Sequence, residues 1–243
     1  MWPTLNLGPL VVPTGALTIV LGAWLCLHLV ERSARTLDQE VEKLANLAFT
    51  GLAAGIIGAR LTFVLLYWPA FRASLISILW PLNTGYNVWG GLLFGALAAL
   101  FYGRYHQLRP APTLDALAPA LVAGLMVVSL ADFVGGPGFG TTTTLPWGIS
   151  QFAIRRHPVQ IYELLVGGLA LLTWLRLRRR RAFAGQLFLA TTAVYGFGRL
   201  FVDAFRADAW VSAGGWHVLQ LLALLATLTC LLLLAQRTLR ADR

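Results

Sequence analysis

Charged residues are scarce in this chain: they make up 12% of its 243 residues, about half the fraction found in typical soluble domains. Cysteine is rarer still, and the two cysteines, Cys26 and Cys230, both lie inside apolar runs. This usage excludes a disulfide framework, and it offers no CxxC or Cys/His metal spacing. Hydrophobic residues are abundant instead, at 58% of the chain with a mean hydropathy of +0.70. The composition therefore predicts an integral membrane protein.

Seven apolar segments approach the length of roughly 20 residues that a helix needs to cross a bilayer. They lie at about 10–30, 45–68, 88–105, 114–133, 158–175, 186–206 and 215–236. Residues 70–81 are amphipathic and too short to span, so we expect an interfacial or re-entrant piece there. We therefore predict an all-α integral membrane protein with about seven transmembrane helices, which form a single transmembrane domain over residues 1–243.

Basic residues are distributed unevenly between the two sets of loops. Thirteen arginines and lysines fall in 31–44, 104–113, 176–185 and the tail from Arg237, whereas the opposite loops hold Arg72, Arg155 and Arg156. Because basic residues accumulate on the cytoplasmic side, the N-terminus is predicted outside and the C-terminus in the cytoplasm. We read the net charge of +9 as a signal of topology and anionic lipid contact, and we expect no nucleic-acid partner.

The sixth apolar segment carries four polar residues. Tyr195, Arg199 and Asp203 are four residues apart in succession, and Arg206 follows, so a helix places them on one face. Two interpretations are open. Arg199 and Asp203 can form a structural ion pair along the helix, or the arginines can present their guanidinium groups to a lipid phosphate.

Arg60 lies in the middle of the second segment, without an acidic neighbour in sequence. A buried arginine normally has a partner, and Glu163 and Asp132 are the candidates. The small residues before Arg60 suit close helix contact. Gly90 and Gly91, at the outer end of the third segment, would let either a lipid or another backbone approach closely. A structural role and a substrate-binding role for Arg60 both stay open.

The sequence HPVQIYE at 157–163 brings polar groups to the start of the fifth segment. Pro158 suits the first turn of a helix. Within two turns we then expect His157, Gln160, Tyr162 and Glu163, with His157 as a general base, a phosphate ligand or a helix cap. His28, His106 and His217 are predicted to be interfacial.

The loop 134–157 is rich in glycine, threonine and proline, and Asp132 ends the span before it. Gly135, Gly136, Gly138 and Gly140 permit sharp turns whose amides could receive an anion. The proline and tryptophan of LPWG, at 145–148, predict an ordered loop at the level of the lipid headgroups.

Five motifs together resemble a known family. GARL (58–61), WGGLLFG (89–95), the glycine-rich turn into LPWG, HPVQIYE and YGFGRLFVDAFR (195–206) are similar to motifs of the prolipoprotein diacylglyceryl transferases. The resemblance covers roughly residues 50–210.

The resemblance implies transfer of a diacylglyceryl group from phosphatidylglycerol to the lipobox cysteine thiol of a preprolipoprotein, without a metal or soluble cofactor, in the bacterial cell (inner) membrane. It implies catalytic roles for His157, Tyr195 and Arg199. It implies substrate contacts for a larger group of residues: Arg60, Gly90, Gly91, Asp132, Gln160, Tyr162, Glu163, Asp203 and Arg206.

The chain departs from the family pattern at several positions. Trp89 stands where the family usually has a histidine. Ser129 and Pro137 occupy positions where, without gaps, the family signature has an arginine and a glutamate. A second hypothesis is therefore an altered or inactive paralogue that binds lipid or assists another membrane protein.

Overall fold

Helices make up most of the computed structural model, which describes residues 4–7, 10–72, 74–79, 85–151 and 153–241. They are α1 (Thr14–Thr36), α2 (Val41–Leu66), α3 (Trp68–Phe71), α4 (Ile76–Leu79), α5 (Val88–Tyr105), α6 (Pro110–Gly135), α7 (Val159–Leu177), α8 (Gln186–Asp203) and α9 (Val218–Ala241). A helix lies at each of the seven predicted positions. Within the described residues, five helices are long and apolar enough to cross a membrane: α1, α2, α6, α7 and α9. The predicted short segment at 70–81 contains the end of α3 and all of α4, with residues 73, 80 and 81 outside the described part.

Two antiparallel hairpins modify the all-α expectation. The first pairs β1 (Thr4–Leu7) with β2 (Leu10–Pro13), and the second pairs β3 (Ile149–Gln151) with β4 (Ile154–Arg156). The first apolar run was predicted to begin its helix near residue 10, but α1 begins at Thr14. Pro13 explains the difference, because a proline inside a helix removes a hydrogen bond and clashes with the preceding turn.

The chain divides into two compact units, Met1–Leu29 with Leu114–Arg243, and Val30–Thr113. In the second unit, α2 and α5 pack through glycines. A Cβ atom added to Gly55 would lie 3.2 Å from the carbonyl oxygen of Gly91, and one added to Gly51 would lie 3.4 Å from that of Gly95. Side chains at these positions would force the backbones apart. The predicted close helix contact around the small residues of the second span is confirmed.

In the first unit, α8 packs against α7 on one side and α9 on the other, again through glycines. A Cβ atom at Gly198 would overlap the side chain of Val166 in α7, and one at Gly196 would come within 3.2 Å of the carbonyl oxygen of Ala223 in α9. These contacts hold the polar face of α8 at a fixed position between its neighbours.

Asp115, in α6, anchors the opposite end of α8. Its carboxylate is fully buried and accepts hydrogen bonds from the amides of Gly185 (2.7 Å) and Phe188 (2.8 Å) at the start of α8. Its carbonyl oxygen accepts one from the indole of Trp174 in α7, at 2.9 Å. A carboxylate at a helix N-terminus satisfies free amides and interacts favourably with the helix dipole. One acidic residue therefore links α6, α7 and α8.

Two glycines of the first unit offer a matched comparison of packing. In Gly198→Ala the new methyl group overlaps Val166, and overpacking of this kind costs about 1–3 kcal/mol. Gly168 in α7 has nothing within 4 Å of an added Cβ atom, so Gly168→Ala should stabilise the helix by up to about 1 kcal/mol. We expect a lower unfolding temperature in detergent for Gly198→Ala and an equal or higher one for Gly168→Ala. An equal decrease of the unfolding temperature in both variants would contradict the packing described for Gly198 and Gly168.

Candidate functional site

Glu163 lies at the centre of a buried network of charges. Its side chain is 3% exposed, and its Oε1 atom accepts hydrogen bonds from the Nη1 atoms of both Arg199 and Arg206, the latter at 2.7 Å. Its Oε2 atom accepts one from the hydroxyl of Ser129 at 2.6 Å. One carboxylate thus joins α6, α7, α8 and the segment that follows α8.

Each arginine also has a second carboxylate. The Nη2 atom of Arg199 lies 3.6 Å from Oδ1 of Asp203, one turn along α8, so the predicted pair along this helix is confirmed. Arg206 donates two hydrogen bonds to Asp208, from Nε at 3.1 Å and from Nη2 at 2.9 Å. Both guanidinium groups therefore have carboxylates on two sides, and that of Arg206 grips Asp208 in the two-bond fork geometry that suits carboxylate and phosphate oxygens.

A cavity of about 430 Å³ opens beside this network. Its polar wall contains five of the predicted site residues, Asp132, Glu163, Tyr195, Arg199 and Arg206, together with Ser129 and Thr192. Its apolar wall comes from α6 and α9: Leu125, Val128, Leu219, Leu222, Ala223 and Ala226. A cavity lined both by guanidinium groups and by aliphatic side chains suits a molecule with an anionic head and a hydrocarbon tail.

The loop after α6 pairs through its backbone with the segment around Arg206. The amide of Thr141 donates to the carbonyl oxygen of Phe205 (2.8 Å), and the amide of Ala207 donates to that of Phe139 (3.0 Å). The amide of His157 donates in turn to the carbonyl oxygen of Thr141 at 3.0 Å. The backbone of the loop therefore connects the end of α8 to the start of α7.

Glycines allow this pairing in two ways. Gly136 and Gly138 have φ angles of +95° and +77°, which L side chains rarely adopt. A Cβ atom at Gly140 would overlap the carbonyl oxygen of His157. The sharp turns predicted for the glycine-rich loop are thus confirmed at Gly136 and Gly138.

His157, Gln160 and Tyr162 contact the loop. Nδ1 of His157 lies 3.3 Å from the hydroxyl of Tyr162, which accepts a hydrogen bond from the indole of Trp147 at 2.9 Å. The amide of Gln160 donates to the carbonyl oxygen of Gly138 at 2.5 Å. These three residues are not among those that line the cavity, and their contacts position the loop beside Arg206.

His217 has a polar partner that the sequence did not reveal. It was predicted to be interfacial, yet its Nδ1 atom lies 3.4 Å from Oδ2 of Asp203, a carboxylate that is 2% exposed and also pairs with Arg199. A carboxylate against one ring nitrogen fixes the orientation of an imidazole. Only the packing of α9 against the end of α8 brings these residues together, so sequence spacing gave no signal for them.

Arg60, Gly90 and Gly91 belong to the second unit. Arg60 donates to three backbone carbonyl oxygens, those of Ser77 (2.5 Å), Ile78 (2.9 Å) and Gly85 (3.2 Å). Gly90 and Gly91 pack against α2. These contacts describe structural roles, and substrate contacts for the three residues stay a prediction.

These features define a multi-pass helical membrane protein with paired arginines beside an apolar-walled cavity. Residues 3–236 match the prolipoprotein diacylglyceryl transferase family, and the chain belongs to that family. A phosphatidylglycerol–prolipoprotein diacylglyceryl transferase of Cutibacterium acnes is 31% identical over 90% of this chain and 79% of its own length. Proteins of the same name from Enterococcus faecalis and Thermosynechococcus vestitus are each 27% identical, over 91% and 92% of this chain and 85% and 87% of their own lengths.

The double pairing of Arg206 can be tested by hydrogen exchange. In Arg206→Lys a single ammonium group cannot hold Asp208 and Glu163 in the same way. The substitution should remove about 1.5–3 kcal/mol of stabilisation from charged hydrogen bonds. The paired backbone of the loop and the segment around residue 206 should then open about 10- to 100-fold faster. We expect faster exchange at the amides of Thr141 and Ala207.

The control for this experiment is Arg155→Lys, which changes an exposed arginine of β4. It should leave the exchange of both amides near the wild-type rate. Similar acceleration in the two variants would mean that Arg206 does not hold the loop.

Proposed function

We propose that this protein transfers a diacylglyceryl group from phosphatidylglycerol to the thiol of the lipobox cysteine in a preprolipoprotein. The observation that carries the proposal is that Arg199 and Arg206 line the same cavity as a set of aliphatic side chains. Guanidinium groups match a phosphate diester in charge and geometry, and the aliphatic wall suits acyl chains. Family membership and the names of the relatives support the same reaction.

The reaction is a displacement at the glyceryl carbon that carries the phosphate ester. The thiol gives its proton to a base, the sulfur forms a bond to this carbon, and the carbon–oxygen bond to phosphate breaks. Glycerol phosphate leaves with the bonding electron pair, and the cysteine becomes a thioether. Arg199 and Arg206 would stabilise the charge that develops on the leaving phosphate. Tyr195 lies on the same wall of the cavity, where its hydroxyl would donate to a phosphate oxygen.

We further propose how the chain lies in the bilayer. All seven apolar helices would cross the cytoplasmic (inner) membrane of a bacterium and form one transmembrane domain. The N-terminus would lie outside and the C-terminus inside, in accord with the distribution of arginine and lysine. The charged network would then lie toward the outer surface, where a secreted preprolipoprotein presents its cysteine.

Two histidines could accept the thiol proton. His157 contacts the hydroxyl of Tyr162, whereas His217 contacts the buried carboxylate of Asp203. Neither histidine is among the residues that line the cavity. We assign the base to His217 because its contact with a carboxylate would stabilise the imidazolium that forms on proton transfer. His157, Gln160 and Tyr162 would act by positioning the loop, and Asp132 would contact the headgroup from the cavity wall.

The transfer activity can be tested in a strain depleted of its own transferase. We expect the wild-type chain to restore growth and lipoprotein modification, and Arg199→Ala to fail because the leaving phosphate loses a cation. Arg155→Ala removes an exposed arginine that does not line the cavity, so it should restore growth. A well-expressed wild-type chain that gives neither growth nor transfer in vitro would contradict the proposed function.

The choice between the two histidines can be tested by measuring kcat/KM against pH. Loss of a general base costs about 10²–10⁴-fold, and we expect a loss of this size in His217→Gln together with a flattened acidic side of the pH profile. In His157→Gln the shape of the profile should stay that of the wild type. A flattened acidic side in His157→Gln and an unchanged profile in His217→Gln would instead identify His157 as the base.

A further inference from the structure

The position between the two arginines is already occupied by a carboxylate of the protein itself. Oε1 of Glu163 accepts from Arg199 and Arg206 together. Carboxylate and phosphate oxygens compete for the same guanidinium donors, because both are recognised by the same planar fork. Glu163 therefore stands where the phosphate of a lipid headgroup would bind.

The balance of charges around the cavity is unfavourable for a further anion. The cations among the residues that line it are Arg199 and Arg206, and Asp132 and Glu163 line the same cavity. Asp203 and Asp208 hold the other sides of the two arginines. A phosphate that simply joined this group would add an anion to four carboxylates, two guanidinium groups and the imidazole of His217, which contacts Asp203. Like charges at such short range are strongly unfavourable where water is excluded.

We propose that Glu163 is an internal anion that occupies the phosphate position until phosphatidylglycerol displaces it from Arg199 and Arg206. This inference rests on the proposed function. Binding is then an exchange of one anion for another at the guanidinium groups. Lipids without a net negative charge compete poorly for the arginines.

The hydroxyl of Ser129 defines what happens to the displaced side chain. It holds Oε2, the oxygen that does not contact the arginines, at 2.6 Å. When a phosphate takes the donors of both guanidinium groups, Ser129 is the donor on α6 that remains for the displaced carboxylate. Glu163 can then return when glycerol phosphate departs, which closes the anion site between turnovers.

The test is the affinity of Glu163→Gln for phosphatidylglycerol. The amide has nearly the same shape but no charge, so it competes less for the arginines. We expect the apparent Kd of short-chain phosphatidylglycerol, titrated into detergent-solubilised protein and followed by tryptophan fluorescence, to fall by about 10-fold, which corresponds to about 1.4 kcal/mol. The affinity for phosphatidylcholine of the same chain length should change by less than about 2-fold, well under half of that free-energy difference.

Asp208→Asn is the matched control, because it removes the same charge from the same arginine at a residue that does not line the cavity. Its gain in affinity should be much smaller. Unchanged or weaker lipid binding by Glu163→Gln would overturn the proposal, and so would an equal gain in both variants, which would indicate a general electrostatic effect.

Glu163→Asp keeps the comparison possible if the glutamine variant does not fold. The shorter acid keeps its charge but cannot reach both arginines and Ser129 together, so a smaller gain in the same direction is expected, and a loss of affinity would overturn the proposal. Binding is measured without turnover. A wild-type chain that binds phosphatidylglycerol but transfers nothing would contradict the proposed function. The effect of Glu163 on lipid affinity would still be measured in that case.

Discussion

The hydrogen bonds between Glu163 and the two arginines are the constraint on which the rest of this structure depends. A buried ion costs several kcal/mol unless it is paired and hydrogen-bonded, and both acceptor atoms of this carboxylate have donors. Removing one partner would leave an uncompensated charge in an apolar interior. The helices that carry these residues must therefore meet at one relative position, and the glycine contacts of α8 with α7 and α9 make that position accessible.

The conformation of the loop after α6 follows from the same network. Arg206 belongs to the ion cluster through its side chain and lies in the stretch of backbone that pairs with the loop after α6. A side chain fixed by two carboxylates restrains its own backbone, and the paired strand then restrains the loop. The electrostatics of the interior thus determine the conformation of a segment at the surface, where a protein substrate would meet the enzyme.

The sequence was sufficient where the relevant contact is local or repeats along one helix. The pairing of Arg199 with Asp203 follows from a spacing of four residues, and the close approach of α2 and α5 follows from glycines at helical spacing. The partners of Glu163 depend on how helices pack, which one sequence does not specify. The same reason explains why Asp115 and the contact between His217 and Asp203 were missed. For Arg60 a carboxylate partner was expected, whereas it donates to backbone carbonyl oxygens near its own helix.

The most central departure from the family pattern, Ser129, becomes understandable once its position is known. The side chain at 129 points at Glu163, so an arginine there would be a third guanidinium group around one carboxylate. Such a site would offer one more cation to an incoming phosphate. With serine that cation is absent, and Glu163 is shared between two arginines that each have another acidic partner. An anionic lipid can then be accommodated only by taking donors away from an existing carboxylate, which makes the mobility of Glu163 the property on which lipid binding in this chain depends.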